Sequence, residues 1–308
     1  MSVWDGVLVA ITTPFDASDR IDRGEFVRHA RWLVERGVDG IVVAGSLGEG
    51  STLSGEERAG LLGDLVAELP RSFPVVAAVA AARTADALEQ ARRAARDGAH
   101  GLLVLPPYIY RGDRAETVSH FSELFRATDL PCMLYNNPPA YGTDVLPREV
   151  AELAERCPTL TGVKESSGDV GRISELVALF GRRLSVSVGL DESILAGIGA
   201  GALGWIAGLA NGLPGESMAL FRAARSGDMA RGEALFRWFR PLLRMDTGPK
   251  FVQRIKLVQS ELGQGSPRVR RPRLELAGAE RDEVLATLRE ALARRPEALA
   301  GVMSITRP

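Results

Sequence analysis

The sequence predicts an α/β protein, a (β/α)8 barrel followed by a C-terminal helical extension. Three observations carry this. Eight short Val/Ile/Leu/Ala runs recur along the 308 residues. None shows the polar alternation of a half-exposed strand, so each is expected to be buried on both faces, as parallel strands are. Amphipathic stretches separate the runs and give β-then-α units over roughly 220 residues, which matches eight such units. The first run ends in Thr12-Thr13-Pro14-Phe15, not in the Gly-rich fingerprint that a doubly wound dinucleotide-binding sheet carries there.

Taken in order, the strands are expected at Gly6–Thr13, Gly40–Gly45, Pro74–Ala80, Gly101–Pro107, Pro131–Asn136, Leu160–Glu165, Leu184–Gly189 and Gly201–Ala207. Helical patterns lie between them at Asp22–Glu35, Ser54–Leu69, Thr84–Asp97, Arg114–Ala127, Pro147–Glu155 and Val170–Phe180. Ser54 with Glu57 three residues on is a capping-box pattern, and Pro147 suits the first turn of its helix. The barrel is assigned to residues 1–226 and the extension to residues 227–308. The extension has helical stretches at about Met229–Glu261 and Ala279–Arg294, too short for an independent domain and expected to pack on the barrel. The basic segment Arg-Val-Arg-Arg-Pro-Arg (268–273) lacks interleaved aromatics and reads as a solvated loop.

With 38 basic against 39 acidic side chains, the net charge is -1. That argues against nucleic acid or an anionic membrane as the main partner. The apolar share of 45% is ordinary for a folded protein. No run approaches the ~18 apolar residues of a membrane span, and the N-terminus lacks signal-peptide flanks, so a soluble, cytoplasmic protein is expected. Cys132 and Cys157 read as buried free thiols. His29, His100 and His120 have no partners at metal-ligand spacing, so neither a metal nor another cofactor is expected.

In a barrel of this kind, chemistry sits at the C-terminal ends of the strands. Polar residues ending the apolar runs are Thr12, Thr13, Ser46, Tyr108, Tyr135, Asn136, Lys164, Glu165 and Asp191. Lys164 stands out, because only three of the 38 basic residues are lysines. Neighbouring strand residues point to opposite faces, so Lys164 and Glu165 are not expected to pair. Desolvation favours the neutral amine of a lysine enclosed by apolar walls, and such an amine forms Schiff bases with ketones. Lys250 and Lys256 lie in the amphipathic tail and read as surface residues. Tyr135 ends the preceding strand and is placed to relay protons, or else is an aromatic rim residue; Tyr141 is a second, weaker candidate. The loop Gly45-Ser46-Leu47-Gly48-Glu49-Gly50-Ser51 reads equally as a carboxylate-holding element of backbone amides plus the Ser46 hydroxyl, or as a plain Gly-rich turn.

Gly45-Ser46-Leu47-Gly48-Glu49, Tyr135-Asn136-Asn137-Pro138, Gly162-Val163-Lys164-Glu165-Ser166 and Gly189-Leu190-Asp191-Glu192 occur in the order and spacing of the dihydrodipicolinate synthase / N-acetylneuraminate lyase family. The chain resembles that family from about Trp4 through its C-terminal helices. The resemblance implies a TIM barrel, usually in a homotetramer built as a dimer of dimers. It also implies a Schiff base between Lys164 and a 2-keto acid, with Tyr135 as the proton relay. Ser46 and the Leu47 amide would bind the keto-acid carboxylate, and Gly189 and Ile206 would line the pocket. The synthases of lysine biosynthesis carry Thr-Thr at Ser46-Leu47, an Arg at Ala140, and a Tyr donated across the dimer at Ile109. Gly-Ser-Leu-Gly-Glu, Tyr-Asn-Asn-Pro and Pro-Leu-Leu-Arg-Met-Asp (241–246) look most like the hydroxyproline-degrading branch, which includes 1-pyrroline-4-hydroxy-2-carboxylate deaminase. Alternatives are a 2-keto-3-deoxy acid or 4-hydroxy-2-oxoglutarate aldolase releasing pyruvate, the lysine-pathway synthase itself, and a non-catalytic ligand-binding member. The expected ligand is thus a small 2-keto or cyclic imino acid.

Overall fold

Eight parallel strands close on themselves in sequence order in the computed structural model, which describes residues 2–299. They are β1 (Gly6–Ala10), β2 (Gly40–Val43), β3 (Val75–Val79), β4 (Gly101–Val104), β5 (Cys132–Asn136), β6 (Leu160–Glu165), β7 (Ser185–Val188) and β8 (Gly204–Ala207), with β8 pairing back onto β1. Each lies inside one of the apolar runs. Almost every strand residue is buried, as expected of strands with helices on one side and a packed lumen on the other.

The barrel helices are α1 (Arg23–Glu35), α2 (Gly55–Glu68), α3 (Thr84–Arg96), α4 (Arg114–Phe125), a short α5 (Pro138–Tyr141), α6 (Pro147–Arg156), α7 (Val170–Phe180), α8 (Ile194–Gly199) and α9 (Pro214–Ser226). Local chemistry sets their starts. Asp22 accepts from Glu25 N–H ahead of α1, Ser54 and Glu57 form the reciprocal box ahead of α2, and Pro147 opens α6. Trp4 closes the N-terminal end of the barrel. Its ring is fully buried where Gly101 and Gly162 leave room, and its Nε1–H donates to Thr161 Oγ1 at 2.9 Å. A Cβ on Gly101 would stand 2.7 Å from the Trp4 ring. With one end plugged, the opposite end, at the strand C-termini, is the open one.

The extension comprises α10 (Met229–Leu243), α11 (Phe251–Glu261) and α12 (Gly278–Ala293); α10 packs on α9, and α12 packs on α10 and α11. The single stretch expected over 229–261 is broken. Gly248 adopts a left-handed backbone (φ 80°) and Pro249 follows it, so the helix stops and restarts. The interruption carries a 3-10 turn at Arg244–Asp246, which lies against the 3-10 turn after β7. No described helix is long and apolar enough to cross a membrane.

Candidate active site

Lys164 is the penultimate residue of β6, with its side chain buried at the strand's C-terminal end. Tyr135 of β5 is its register partner, and Lys164 Nζ lies 4.1 Å from the centre of the Tyr135 ring. The expected alternation holds. Glu165 turns to the other face, where it accepts from Asn136 Nδ2 (3.1 Å) and Ser167 N–H (2.6 Å) and does not pair with Lys164. Asn136 also caps the turn by accepting from Val145 N–H at 2.9 Å. This outward network anchors β5 to β6 at the level where the amine and the phenol face inward.

The short α5 brings in a second phenol. Asn137 caps it by accepting from Ala140 N–H at 3.1 Å, and Gly142 ends it in a left-handed conformation. The Asn137 amide also donates to Tyr135 Oη at 3.0 Å. Tyr141 thereby stands edge-on to Tyr135, with ring centres 5.7 Å apart, and 5.8 Å from Tyr108. Its hydroxyl meets Ser46 Oγ. Burial raises the Tyr141 phenol well above the usual range, the neighbouring Tyr135 and Tyr108 raise it further, and Ser46 offsets part of this. The weaker of the two tyrosine candidates is therefore the one that joins the Ser46 loop to Tyr135.

The Ser46 loop is tight. Ala44 and Glu49 both adopt left-handed backbones, and a Cβ on Gly50 would collide with Ala44 O. Thr13 Oγ1 donates to Gly48 O at 2.7 Å. Among the described residues, neither Ser46 N–H nor Leu47 N–H finds an acceptor. Gly189 follows β7 and accommodates the lysine shaft, since an added Cβ there would stand 2.8 Å from Lys164 Cε. Ile206 is buried on β8, two residues beyond Gly204, whose β7 partner Ser187 faces Lys164 in register.

Carboxylates occupy the β7–β8 side. Asp191 is fully buried and accepts from Trp205 Nε1 (2.8 Å), Gly208 N–H (3.1 Å) and Leu209 N–H (2.7 Å). Burial nevertheless pushes its carboxyl up to about 6, against those hydrogen bonds and the charge of Lys164. Asp246, delivered by the turn between α10 and α11, presses its carboxyl against Gly208, where only a glycine leaves space. Loss of water at that carboxyl, and then the charge of Asp191, raise it well above the ordinary range, while Lys164 acts in the opposite sense. Sequence patterning placed Asp246 in a helical tail, and the Gly248-Pro249 break was the available signal. Ser166 was also missed. Its buried hydroxyl has no hydrogen-bond partner among the described residues and would be struck by a Cβ on Gly189.

Two expectations about the extension fail. Lys256 was read as a surface residue, yet its side chain is 1% exposed and ion-paired with the buried Glu49 at 2.8 Å. Segment 268–273 was read as a solvated loop, yet Arg270 makes a bidentate pair with Glu57 and Arg273 lies 3.6 Å from Glu49. Lys250 does lie at the surface, against Glu280. Ile109 is 96% exposed, Ala140 is exposed on α5, and Tyr110 is bonded to Glu116 outside the mouth.

Comparison with known proteins bears on this arrangement. A profile of the Dihydrodipicolinate synthetase family matches residues 4–291. The 4-hydroxy-tetrahydrodipicolinate synthase of Methanoculleus marisnigri is 35% identical over 288 residues, covering 92% of this chain and 97% of that one. That of Stenotrophomonas maltophilia is 38% identical over 224 residues, covering 72% and 75%. Among solved structures, dihydrodipicolinate synthase from Aquifex aeolicus superposes with a TM-score of 0.89 at 27% identity, covering 93% and 98%. YagE of E. coli K12, a prophage protein of the dihydrodipicolinic acid synthase family in complex with pyruvate, gives 0.89 at 25% identity, covering 94% and 99%.

Proposed function

The chain belongs to the dihydrodipicolinate synthetase family, and from that premise we propose that it is a class I aldolase-type enzyme acting on a 2-keto acid or cyclic imino acid through a Schiff base at Lys164. The observation that carries the reading is the buried Lys164 amine 4.1 Å from the Tyr135 ring centre at matched strand ends. The amine attacks C2 of the substrate, and the Tyr135 phenol moves the protons that carbinolamine formation and dehydration require, with Tyr141, bonded to Ser46, packed edge-on against it. Ser46 with the Leu47 amide takes the carboxylate, and Gly189 and Ile206 shape the wall. The working form is a cytoplasmic homotetramer with no bound cofactor.

Within the family, the substrate we favour is 1-pyrroline-4-hydroxy-2-carboxylate. Lys164 adds to C2 and the ring C2–N bond breaks. A proton leaves C3 and the C4 hydroxyl departs as water, leaving a C3=C4 double bond. Protons then leave C5 and its nitrogen while C3 and C4 gain protons, which converts the alkene into a C5 imine. Hydrolysis of that imine frees ammonia, and hydrolysis at C2 frees Lys164 and 2-oxoglutarate semialdehyde. One water is consumed net. The motif resemblance and the absence of an arginine at Ala140 support this branch over the synthase. A hydroxy-keto acid aldolase uses the same Schiff base but releases pyruvate.

Borohydride reduction in the presence of pyruvate, followed by peptide mass analysis, tests the mechanism. The expected result is a mass increment on the peptide containing Lys164 and none in Lys164→Arg. An unmodified wild-type chain, or labelling of the Arg variant, overturns the reading. Ammonia release from the pyrroline, against pyruvate release coupled to lactate dehydrogenase, then separates deaminase from aldolase.

A further inference from the structure

The Ser46 loop rests on the C-terminal extension. Glu49, fully buried with a left-handed backbone (φ 56°), follows Ser46, Leu47 and Gly48 directly. Its Oε1 accepts from Lys256 Nζ at 2.8 Å, and the same ammonium donates to Thr13 O at 2.8 Å. Its Oε2 accepts from Arg270 N–H at 2.9 Å and lies 3.6 Å from the Arg273 guanidinium. Lys256 Nζ and the Arg270 guanidinium carbon lie 4.7 Å and 4.5 Å from the Phe15 ring centre.

Two consequences follow. A left-handed non-glycine residue persists only where its surroundings over-determine it, and here the fixing contacts come from α11 and segment 268–273. The buried carboxylate also depends on its partner. The Arg270 guanidinium is engaged by Glu57, which leaves Lys256 as the buried cation paired with Glu49, with Arg273 farther off and Glu275 also acting on Lys256. Removing the ammonium would strand the buried Glu49 charge directly after the Ser46–Leu47 segment. A single compact ammonium serves both Thr13 O and Glu49 Oε1, a geometry that a planar guanidinium fork does not reproduce atom for atom. This gives a chemical reason for a second lysine in an arginine-rich chain.

We propose that Lys256 is a positioning residue for substrate recognition: paired with Glu49 and covered by segment 268–273, it holds the Ser46–Leu47 amides in carboxylate-binding geometry. The C-terminal extension is thereby a working part of the active site. The inference rests on the reading of that loop as the carboxylate site.

The test uses the full chain, with pyruvate as probe and borohydride trapping at Lys164 as readout. In Lys256→Met the half-saturating pyruvate concentration rises about 10-fold or more, while trapping at saturation stays within about 3-fold. The double variant Lys256→Met/Glu49→Gln removes the stranded buried carboxylate as well and returns half-saturation to within about 3-fold of wild type. Arg273→Gln leaves the Lys256–Glu49 pair intact and raises half-saturation about 3-fold, so a Lys256→Met chain that failed to fold would not shield the idea. Half-saturation unchanged in Lys256→Met, or in Arg273→Gln if the former does not fold, overturns the proposal. Parallel loss of affinity and saturating rate with no recovery in the double variant also overturns it, in favour of a purely structural role. Absence of trapping in the wild-type chain overturns the Schiff-base reading instead.

Discussion

Gly189→Ala is the sharpest probe of the site, because its effect follows from distances alone. The new Cβ would stand 2.8 Å from Lys164 Cε and 2.9 Å from Lys164 Cγ, about 0.6 Å inside the ordinary contact limit of 3.4 Å. It would also strike Ser166 Oγ, but that hydroxyl has no partner to lose and can rotate away. The lysine shaft has less freedom, being buried with its amine over the Tyr135 ring. Nor does the backbone retreat easily, since Gly189 N–H donates to Glu165 O at 2.9 Å. The amine is thus displaced by roughly half an ångström. A misplacement of about 1 Å costs on the order of 100-fold in rate, so a fall of roughly 10- to 100-fold in Schiff-base formation is expected. Overpacking of this kind costs about 1–3 kcal/mol, leaving a folded protein. The assay is the time course of pyruvate trapping by borohydride, with circular dichroism to verify folding. Gly199→Ala is the control, because a Cβ there meets nothing within 4 Å. Trapping by Gly189→Ala within about 3-fold of wild type would refute the placement of Lys164 against this backbone.

Two further predictions concern buried titratable groups. The Asp191 carboxyl, ordinarily at 3.8, is raised to about 6 in the folded chain, so the stability it contributes is fully present below the lower value and lost as pH rises through the upper one. Relative to wild type, Asp191→Asn should therefore gain about 3 kcal/mol in urea unfolding between about pH 4 and 7; a pH-independent difference would remove Asp191 as the titrating group. Burial pushes the Cys132 thiol up to about 12, and Cys157 is also buried. Neither should react with a thiol reagent at about pH 8 until denaturant is added, and prompt labelling of the native chain would show the fold to be looser than described.

The barrel was legible because parallel strands sealed on both faces leave uninterrupted apolar runs, and the inward placement of Lys164 beside Tyr135 was legible because it follows from strand alternation and strand order. The extension was not, for reasons of range. Lys256 sits on a helix whose amphipathic pattern does not say which polar residue a neighbour will cover. Its partner Glu49 is 207 positions away, and the Arg270 contacts to Glu49 and Glu57 span 221 and 213. Local patterning scores such residues as solvated because their counter-charges lie on another element. The contact of Tyr141 with Ser46 was not legible for a related reason, since the two lie 95 positions apart.

The polarity of the mouth constrains what the substrate looks like. On one side stand the Ser46 and Leu47 amides and two phenols. On the other stand Asp191 and Asp246, where Asp191 raises the proton affinity of Asp246 and both feel the charge of Lys164. A 2-keto or imino carboxylate at the amide side satisfies both, while the reverse orientation would set an anion against carboxyls and is disfavoured. On the proposed Schiff base at Lys164, a substrate remainder lying toward Asp191 and Asp246 would meet repulsion if it carried a second carboxylate, and Ala140 offers no cation to hold one. On that proposal a hydroxylated imino or keto monoacid is favoured over the two-carboxylate condensation of the lysine-pathway synthases.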